Sequence, residues 1–476
     1  MTLSRELPRW SRGWRGPALA ALIAVVAGLP GLLTVPPLDR DESRFAQATS
    51  QMLETGDFVV IRFQDQPRFK KPVGIHWLQA ASVKLLSRPE ARQIWAYRVP
   101  SLLGAALAAA ACAWGAAAFF GAEAGLLAGA MLGASFLLST EAFIAKTDAV
   151  LCGTTTLAMA ALGRIYAASR GGPPVKPGAA MVFWLGFGIA TLDKGPVGPM
   201  VAALAMIALA IVDGRPAWLA RLNWYWGLVL VAIIVGPWAF AVTVATDGGF
   251  WTQAIGGDLA PKLIGGQETH GAPPGYHTLL ASVLLFPATL LLPAAAVAGW
   301  KRRAEPGIRF ALAWLLPSWL VFELLPTKLV HYPLPTYGAI CWLAAAAVMQ
   351  PIGKGARIVG AALAALVSVA LAAVVFYLLS LYGAPADLPE AILAAALLAA
   401  AGLAGAYMLV RNRPLAALVT AIGFGVLGHA ALTAGFAPRL APLWLSKRVE
   451  TAMAKAELLP RQGVADAPVT VTGYAE

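Results

Sequence analysis

Long apolar stretches recur along almost the whole chain and determine its predicted architecture. Each stretch is long enough to cross the hydrocarbon core of a bilayer, which requires roughly 17 to 25 residues in a helix. The stretches begin near Ala18, Val99, Glu123, Asp148, Ala179, Pro196, Trp224, Thr278, Phe310, Pro333, Ile358, Ala391 and Leu415. The pattern therefore predicts an all-α polytopic membrane protein with about thirteen transmembrane helices.

Two features of these stretches bear on the number of spans. Asp193, Lys194, Gly195 and Pro196 interrupt the apolar run between the fifth and sixth stretches, and this break predicts either a hairpin turn or a broken helix. The N-terminal stretch has the basic start and apolar middle of a secretory signal but lacks a small-residue cleavage site. We therefore expect it to be retained as the first membrane span.

The polar segment between the first and second stretches carries two amphipathic patterns. Apolar residues recur at near-helical spacing from Asp41 to Leu53 and again from Val73 to Leu85, with a short extended piece from Asp57 to Phe63 between them. This spacing predicts two helices that lie along the membrane surface within the first outward loop.

The distribution of basic residues predicts the orientation of the chain in the membrane. Basic loops resist translocation, so the four arginines before the first stretch are expected in the cytoplasm. Strict alternation then assigns to the cytoplasm five further loops, which carry Arg164, Arg170 and Lys176, then Arg215 and Arg221, then Lys301, Arg302, Arg303 and Arg309, then Lys354 and Arg357, then Arg411 and Arg413. We expect a multi-pass protein of the bacterial inner membrane with a cytoplasmic N-terminus.

The outward segments contain most of the unusual polar residues and suggest a division of the chain. Residues 1–434 are expected to form one transmembrane catalytic domain, which includes a first periplasmic loop at residues 39–97. A Gly- and Pro-rich loop at residues 246–277 is typical of a mobile lid over a site. Residues 435–476 are mixed and rich in Ala and Pro, and they predict a short periplasmic tail.

Composition and charge exclude several classes of protein. The chain is 59% hydrophobic and 13% charged, a balance that suits a lipid-facing surface better than a single soluble core. Basic cytoplasmic loops account for much of the net charge of +12, so no nucleic-acid partner is expected. Cys112, Cys152 and Cys341 lie in separate apolar runs, which argues against a disulfide framework or a structural zinc site.

The first outward loop contains two groups of charged residues with candidate roles. Asp39, Asp41 and Glu42 follow the first span, where a carboxylate can accept a proton from a hydroxyl or an amine. The alternative is that these acids only cap the following helix. Lys70 and Lys71 oppose the usual charge bias on the outer face, which indicates either a phosphate site or simple attraction to lipid headgroups.

Ionisable residues also meet at the outward ends of later spans, where they are costly unless they are paired or used. Lys146 and Asp148, close to Glu141, form either an ion pair alone or part of a site, and Lys194 has the same two interpretations. Further candidates in the lid loop and in the turn before the tenth span are His270, Tyr276, Lys328, His331 and Tyr332.

Some of these residues have simpler explanations. Tyr332 is either a site residue or an interfacial anchor. His270 and His277 lack an acidic partner at helical spacing, so the sequence predicts no metal site, and it leaves any requirement for a divalent metal open. No cofactor is identified.

Six motifs occur in a fixed order: RDESRFA (40–46), FKKPVGIHWL (69–78), KTDAVL (146–151), LDKGPVG (192–198), HGAPPGYH (270–277) and TKLVHYPLP (327–335). With these motifs the chain resembles, over Asp39 to Tyr337, the polyprenyl-phosphate-sugar-dependent glycosyltransferases of the GT-C superfamily. The resemblance is to the branch that includes protein O-mannosyltransferase-like proteins and the aminoarabinose transferase of lipid A modification.

The resemblance implies a sugar donor joined to a long isoprenoid through one phosphate and used at the periplasmic face. It implies catalytic roles for Asp41 and Asp148, binding of the carrier phosphate by Lys71 beside Lys70, and a later basic motif on the same side. That later motif consists of Lys328 and His331. The remaining site candidates are Arg40, Glu42, Arg44, Lys146, Lys194, His270, Tyr276 and Tyr332. Attack opposite the departing phosphate would invert the anomeric centre.

The chain departs from the family pattern in two places. Lys70 stands where the aminoarabinose branch has an acidic residue, which weakens the assignment of that sugar, and the C-terminal tail is short. A lipid A-type glycolipid is the favoured acceptor, with another envelope glycan or protein serine and threonine as alternatives. The alternative function is a lipid-linked sugar flippase or exporter, whose polar residues would continue toward the cytoplasmic side.

Overall fold

The computed structural model describes residues 3–38, 41–261 and 271–458, and these residues are almost entirely helical. The α-helices are α1 (Leu3–Ser11), α2 (Arg15–Thr34), α3 (Asp41–Thr55), α4 (Gly74–Leu86), α5 (Ile94–Phe120), α6 (Ala122–Gly133), α7 (Phe136–Glu141), α8 (Asp148–Ser169), α9 (Ala179–Lys194), α10 (Val197–Asp213), α11 (Trp224–Ala245), α12 (Gly249–Trp251), α13 (Tyr276–Leu284), α14 (Leu292–Lys301), α15 (Pro306–Leu324), α16 (Tyr337–Val348), α17 (Lys354–Tyr382), α18 (Leu388–Val410), α19 (Pro414–Ala430) and α20 (Leu445–Lys455).

Shorter elements connect these helices. Turns of 3₁₀-helix lie at Pro89–Ala91, Pro216–Leu222, Ala288–Leu291, Leu334–Thr336, Pro385–Asp387, Ala437–Arg439 and Ala441–Leu443. Segments of π-helix lie at Thr252–Leu259 and Ala431–Phe436. Strands β1 (Arg62–Phe63) and β2 (Gln66–Pro67) form a small antiparallel pair in which Arg62 faces Pro67.

Helices long and apolar enough to cross a membrane confirm that the chain is a multi-pass membrane protein. Among the described residues there are 8 such helices, or up to 9 when α13 and the helical segment Ala288–Lys301, bent by 117° from each other, count as one span. The other predicted stretches form shorter helices, such as α6 and α10. The all-α class is confirmed, whereas the predicted number of about thirteen spans stays a prediction.

Burial distinguishes the central helices from the peripheral ones. The apolar part of α8 is 89% buried inside the protein, whereas that of α11 is only 11% buried. A helix that is apolar on all sides and still exposed is suited to contact with lipid, and one that is buried forms the core of the bundle. Asp148, the first residue of α8, therefore lies at the end of the most enclosed candidate span.

The break between the fifth and sixth stretches separates two helices. The helix α9 ends at Lys194 and α10 begins at Val197. Gly195 adopts φ +67° at this point, a left-handed conformation that residues with a Cβ atom rarely adopt. Lys194 is thereby left in the last turn of its helix, at the edge of the site described below.

The two predicted amphipathic helices of the first outward loop are present as α3 and α4. The predicted extended piece between them is shorter than expected, because only Arg62 and Phe63 form a strand. The carboxylate of Asp57 accepts hydrogen bonds from the backbone N–H groups of Val59 and Val60, both at 3.0 Å, and so folds the first part of this piece into a turn.

Candidate active site

Five ionisable side chains from three separate segments meet at the N-terminal end of α8. They are Glu141, Lys146, Asp148, Lys194 and His331, and we call them the acid–lysine cluster. Lys146 Nζ lies 3.0 Å from Glu141 Oε1 and 3.6 Å from Asp148 Oδ2, and Lys194 Nζ forms a short ion pair with Asp148 Oδ1. Every side chain in the cluster is at least 90% buried.

His331 joins the two carboxylates of this cluster. Its Nε2 atom lies 3.5 Å from Asp148 Oδ1, and its Nδ1 atom lies 3.7 Å from Glu141 Oε1 and 3.3 Å from Lys146 Nζ. Burial lowers the pKa of His331 well below its usual range, although Asp148 acts in the opposite direction. The ring is therefore neutral, and Lys146 and Lys194 are the cations that pair with Glu141 and Asp148.

Asp41 connects the first outward loop to the acid–lysine cluster. Burial alone would raise the pKa of Asp41, but the positive charges of Lys71 and Lys146 lower it below its usual value. The interaction also extends to Asp148, so Asp41 lies within electrostatic range of the cluster. Asp41 is ionised at neutral pH and is available as a hydrogen-bond acceptor.

A small cavity next to Asp41 is lined by basic side chains, and we call it the basic pocket. The pocket is formed by Phe45, Ile61, Arg68, Lys70, Lys71 and His76. The guanidinium of Arg68 and the ammonium of Lys71 lie 5.4 and 5.2 Å from the centre of the Phe45 ring. Both cations therefore lie beside the same aromatic ring, in a pocket whose positive charge favours an anion.

A close contact between two helices places the basic pocket beside the acid–lysine cluster. Gly74 begins α4, three residues after Lys71, and a Cβ atom on it would meet the backbone oxygen of Leu192 at 2.6 Å. Only glycine permits this approach of α4 to α9. The lysines of the first loop and Lys194 are thereby brought to one region of the molecule.

The remaining candidates lie at different distances from this region. The ring of Tyr332 lies 5.9 Å from Lys194 Nζ and next to His331, and Arg44 lies on α3 one residue before Phe45. Lys328 is buried and donates a hydrogen bond to the backbone oxygen of Leu325 at 2.6 Å. Tyr276 begins α13, where its ring packs against that of His277.

Arg40 and His270 lie outside the described residues, as do Asp39 and the last residues of the predicted tail. Within residues 3–38, 41–261 and 271–458, no group of three or more His, Cys, Asp or Glu side chains is arranged to hold a metal ion.

Glu42 forms a buried ion pair that the sequence did not reveal. Arg98, in α5, donates to both carboxylate oxygens of Glu42, at 2.8 and 2.7 Å, and both side chains are completely buried. Arg98 also donates to backbone oxygens that follow α2, including that of Val35 at 2.6 Å. Glu42 accepts a further hydrogen bond from the N–H of Ala145 at 2.8 Å, which fixes the segment that carries Lys146.

Asp193 is a second residue that the sequence did not single out as a site candidate. Its carboxylate is fully buried, and neither oxygen has a hydrogen-bond partner among the described residues. It precedes Lys194 in the polar break for which the sequence predicts a hairpin turn or a broken helix, so only the packing of α9 against α4 reveals its burial.

Comparisons with known proteins identify what this arrangement is similar to. Residues 70–240 match the family described as dolichyl-phosphate-mannose-protein mannosyltransferase. The undecaprenyl phosphate-alpha-4-amino-4-deoxy-L-arabinose arabinosyl transferase of Aeromonas salmonicida is 26% identical over 318 residues, which are 66% of this chain and 56% of that protein. The chain thus spans little more than half the length of this relative.

Solved structures show the same fold. The crystal structure of ArnT from Cupriavidus metallidurans bound to undecaprenyl phosphate superposes with a TM-score of 0.73 at 21% identity, and the match covers 92% of this chain and 79% of that one. The Archaeoglobus fulgidus oligosaccharyltransferase gives a TM-score of 0.52 at 11% identity, over 90% of this chain and 56% of that one. The chain therefore shares the fold of these two proteins, and the resemblance predicted from the six motifs is confirmed as a similarity to the mannosyltransferase family and to the arabinosyl transferases.

Proposed function

We propose that the chain is an integral-membrane glycosyltransferase that moves a sugar from a polyprenyl-phosphate donor to a cell-envelope acceptor. One observation carries this proposal: the buried acid–lysine cluster adjoins a pocket that holds three cations beside an ionised carboxylate, Asp41. The named activity of the arabinosyl transferase relative supports it. A lipid A-type glycolipid is the favoured acceptor, and the donor sugar is a hexose or a pentose.

The two parts of the site supply different contributions to the reaction. Lys71 and its basic neighbours bind the phosphate and stabilise the charge that develops on it as the bond from the anomeric carbon to the phosphate oxygen breaks. Asp41 accepts the proton of the acceptor hydroxyl, whose oxygen forms the new bond to the anomeric carbon. Asp148 is already engaged by Lys146, Lys194 and His331, so it organises these groups around the sugar.

The stereochemistry of the product follows from this arrangement. The acceptor oxygen attacks the face opposite the phosphate, so a single displacement inverts the configuration of the anomeric carbon. We expect NMR of the isolated glycoside to give a coupling pattern opposite to that of the donor. Retention of configuration would contradict the direct displacement and would require a covalent intermediate.

Replacing Lys71 with alanine is expected to impair use of the donor. Loss of one charge-assisted hydrogen bond to phosphate costs about 1.5–3 kcal/mol, which corresponds to a roughly 10- to 150-fold decrease in kcat/KM for the lipid donor. Lys84→Ala is the matched control, because Lys84 is an exposed lysine on α4, the helix that follows Lys71 in the first loop. Equal kcat/KM values for the two variants would remove Lys71 from the proposed phosphate site.

We further propose that the site faces the periplasm of a bacterial inner membrane, with a cytoplasmic N-terminus and a short periplasmic tail after residue 434. The basic loops assigned to the cytoplasm support this orientation. All three natural cysteines are buried, so introduced cysteines can be labelled selectively.

The proposed orientation predicts which introduced cysteines react in intact cells. A membrane-impermeant maleimide should label Asp65→Cys, in the exposed turn of the first loop, when the outer membrane alone is permeabilised. Arg413→Cys, which is exposed in a predicted cytoplasmic loop, should react only after the inner membrane is broken. The opposite labelling pattern would reverse the proposed topology.

A further inference from the structure

The last helix, α20, carries a stripe of exposed apolar side chains. Leu445, Val449 and Ala452 follow one another at spacings of four and three residues, which places them on one side of the helix. Leu445 and Val449 are 37% and 48% exposed. No residue of α20, which the structure describes in full, is buried. The apolar stripe is therefore not covered by the helical bundle.

The side of α20 opposite this stripe is polar. It carries Lys447, Glu450 and Thr451, which also follow one another at spacings of three to four residues or lie next to each other. A helix with one apolar and one charged side, and with too few apolar residues to cross a bilayer, is typical of a segment that lies in the membrane interface.

The helix α20 follows directly after a membrane span. The segments Arg15–Thr34 and Pro414–Arg439 are both long and apolar enough to cross a membrane. Thr34 Oγ1 donates a hydrogen bond to the backbone oxygen of Thr433 at 2.8 Å, so the C-terminal ends of these two spans lie side by side. The first outward loop continues from one of these ends, and α20 continues from the other.

Two hydrogen bonds hold the first turn of α20 against this boundary. Ser446 Oγ donates to the backbone oxygen of Pro37 at 3.0 Å, just beyond the end of α2. Lys447 Nζ donates to the backbone oxygen of Pro438 at 3.4 Å, near the end of the preceding span. The helix therefore starts at the level where the two spans leave the hydrocarbon, which is where an interfacial helix must lie.

The two flanks of α20 between its apolar and polar sides differ in charge and in exposure. Ser446 and Met453, seven positions apart and so on one flank, are half-buried, which shows that this flank faces the protein. Arg448 and Lys455, also seven positions apart, lie on the other flank and are exposed. Long basic side chains in this position can reach lipid headgroups while the apolar stripe enters the acyl boundary.

We propose that α20 docks on the lipid bilayer and lies in its interface beside the end of α2. Its apolar stripe faces the acyl chains, and Arg448 and Lys455 face the headgroups of anionic phospholipids. The charge of these two side chains and the position of the helix at the ends of two spans favour a bilayer over a protein partner. The proposal concerns how the C-terminal segment is anchored and does not depend on sugar transfer.

Spin labels on opposite sides of α20 test this proposal in the full-length protein. All three natural cysteines are buried, so Val449→Cys, on the apolar stripe, and Thr451→Cys, on the polar side, can each be labelled with a nitroxide. The labelled proteins are placed in nanodiscs of phosphatidylcholine and phosphatidylglycerol. We expect the ratio of accessibility to oxygen over accessibility to a water-soluble nickel chelate to be severalfold higher at position 449 than at position 451.

The other outcomes of this measurement overturn the proposal. Equal ratios at the two positions would show that α20 is surrounded by one medium, either water or lipid. A nitroxide at position 449 that neither oxygen nor the nickel chelate reaches would show that protein covers the stripe, either the chain itself or a second copy.

A change of lipid composition tests the part of the anionic headgroups. In nanodiscs of phosphatidylcholine alone, we expect a lower ratio at position 449 than in nanodiscs that also contain phosphatidylglycerol. Replacing both Arg448 and Lys455 with glutamine should abolish this difference. The matched control replaces Arg411 and Arg413, two exposed arginines of another loop, with glutamine and should preserve it. A ratio that is the same in both lipid compositions, or a difference that survives Arg448→Gln with Lys455→Gln, would refute the headgroup contacts.

Discussion

Asp148→Asn is expected to lower the rate of sugar transfer by a factor on the order of a hundred to a thousand. The carboxylate of Asp148 holds Lys194 and lies close to Lys146 and to Nε2 of His331, so its loss removes the charge that orders these side chains. A neutral amide leaves two buried ammonium groups with Glu141 as the remaining acid of the cluster. The rate of transfer with saturating donor and acceptor is the quantity to measure.

Controls separate a chemical effect of Asp148→Asn from a folding effect. Asp65→Asn removes an exposed acid in the first loop and should retain full activity. Combining Asp148→Asn with Lys194→Met removes an unpaired buried charge, so it should recover thermal stability without recovering transfer. Normal transfer by the Asp148→Asn variant would exclude Asp148 from the mechanism.

Arg98→Ala is expected to destabilise the fold by about 3–5 kcal/mol, because it leaves Glu42 buried without its ion-pair partner. The same change removes donors from backbone oxygens after α2, such as that of Val35. The result should be a lower midpoint of thermal unfolding in detergent and a smaller yield of monodisperse protein. We expect the change to lower stability and not to act on the chemistry of transfer directly. Among the described hydrogen bonds and ion pairs, Arg98 has no contact with the acid–lysine cluster.

An exposed ion pair of the same region provides the control for Arg98. Arg92 pairs with Glu54 at 3.0 Å, and its side chain is 66% exposed, so Arg92→Ala should change stability by less than about 1 kcal/mol. Arg98→Met combined with Glu42→Leu should recover only part of the loss, because the N–H groups of Leu38 and Ala145 lose their acceptor. Equal unfolding midpoints for Arg92→Ala and Arg98→Ala would contradict the structural role of Arg98.

Hydropathy predicted the helical architecture well because the bilayer requires every span to be apolar and helical. Helices occupy each of the thirteen predicted stretches, and α3 and α4 begin within one residue of their predicted positions. The number of complete spans was harder to predict. Several apolar stretches are divided into shorter or bent helices, as at the 117° bend after α13, and hydropathy does not report the angle between consecutive helices.

The candidate site was predicted in part. The motifs KTDAVL, LDKGPVG and TKLVHYPLP were assigned to one face of the membrane, and Asp148, Lys194 and His331 from these motifs do meet. Lys328 instead binds the backbone of its own turn. Lys328 lies three positions before His331 in the same turn, yet the two side chains have different neighbours. The sequence alone does not give the direction of a side chain in a turn.

Arg98 and Asp193 show what the sequence could not reveal. A single arginine at the start of a span is typical of an interfacial anchor, and its pairing with Glu42 depends on how α2, α3 and α5 pack. Asp193 is buried by the approach of α4 to α9, a contact between residues more than a hundred positions apart. Such pairings follow from tertiary packing, which local patterns do not encode.

Reconstitution into proteoliposomes with defined undecaprenyl-phosphate sugars tests the proposed chemistry most directly. Mass spectrometry should detect, for at least one donor, an acceptor glycolipid heavier by one sugar residue together with one molecule of released undecaprenyl phosphate per transfer. The Asp148→Asn variant should yield neither product. Movement of the intact sugar lipid across the bilayer with no glycosidic bond formed to any envelope acceptor would contradict the assignment as a transferase and would support the exporter.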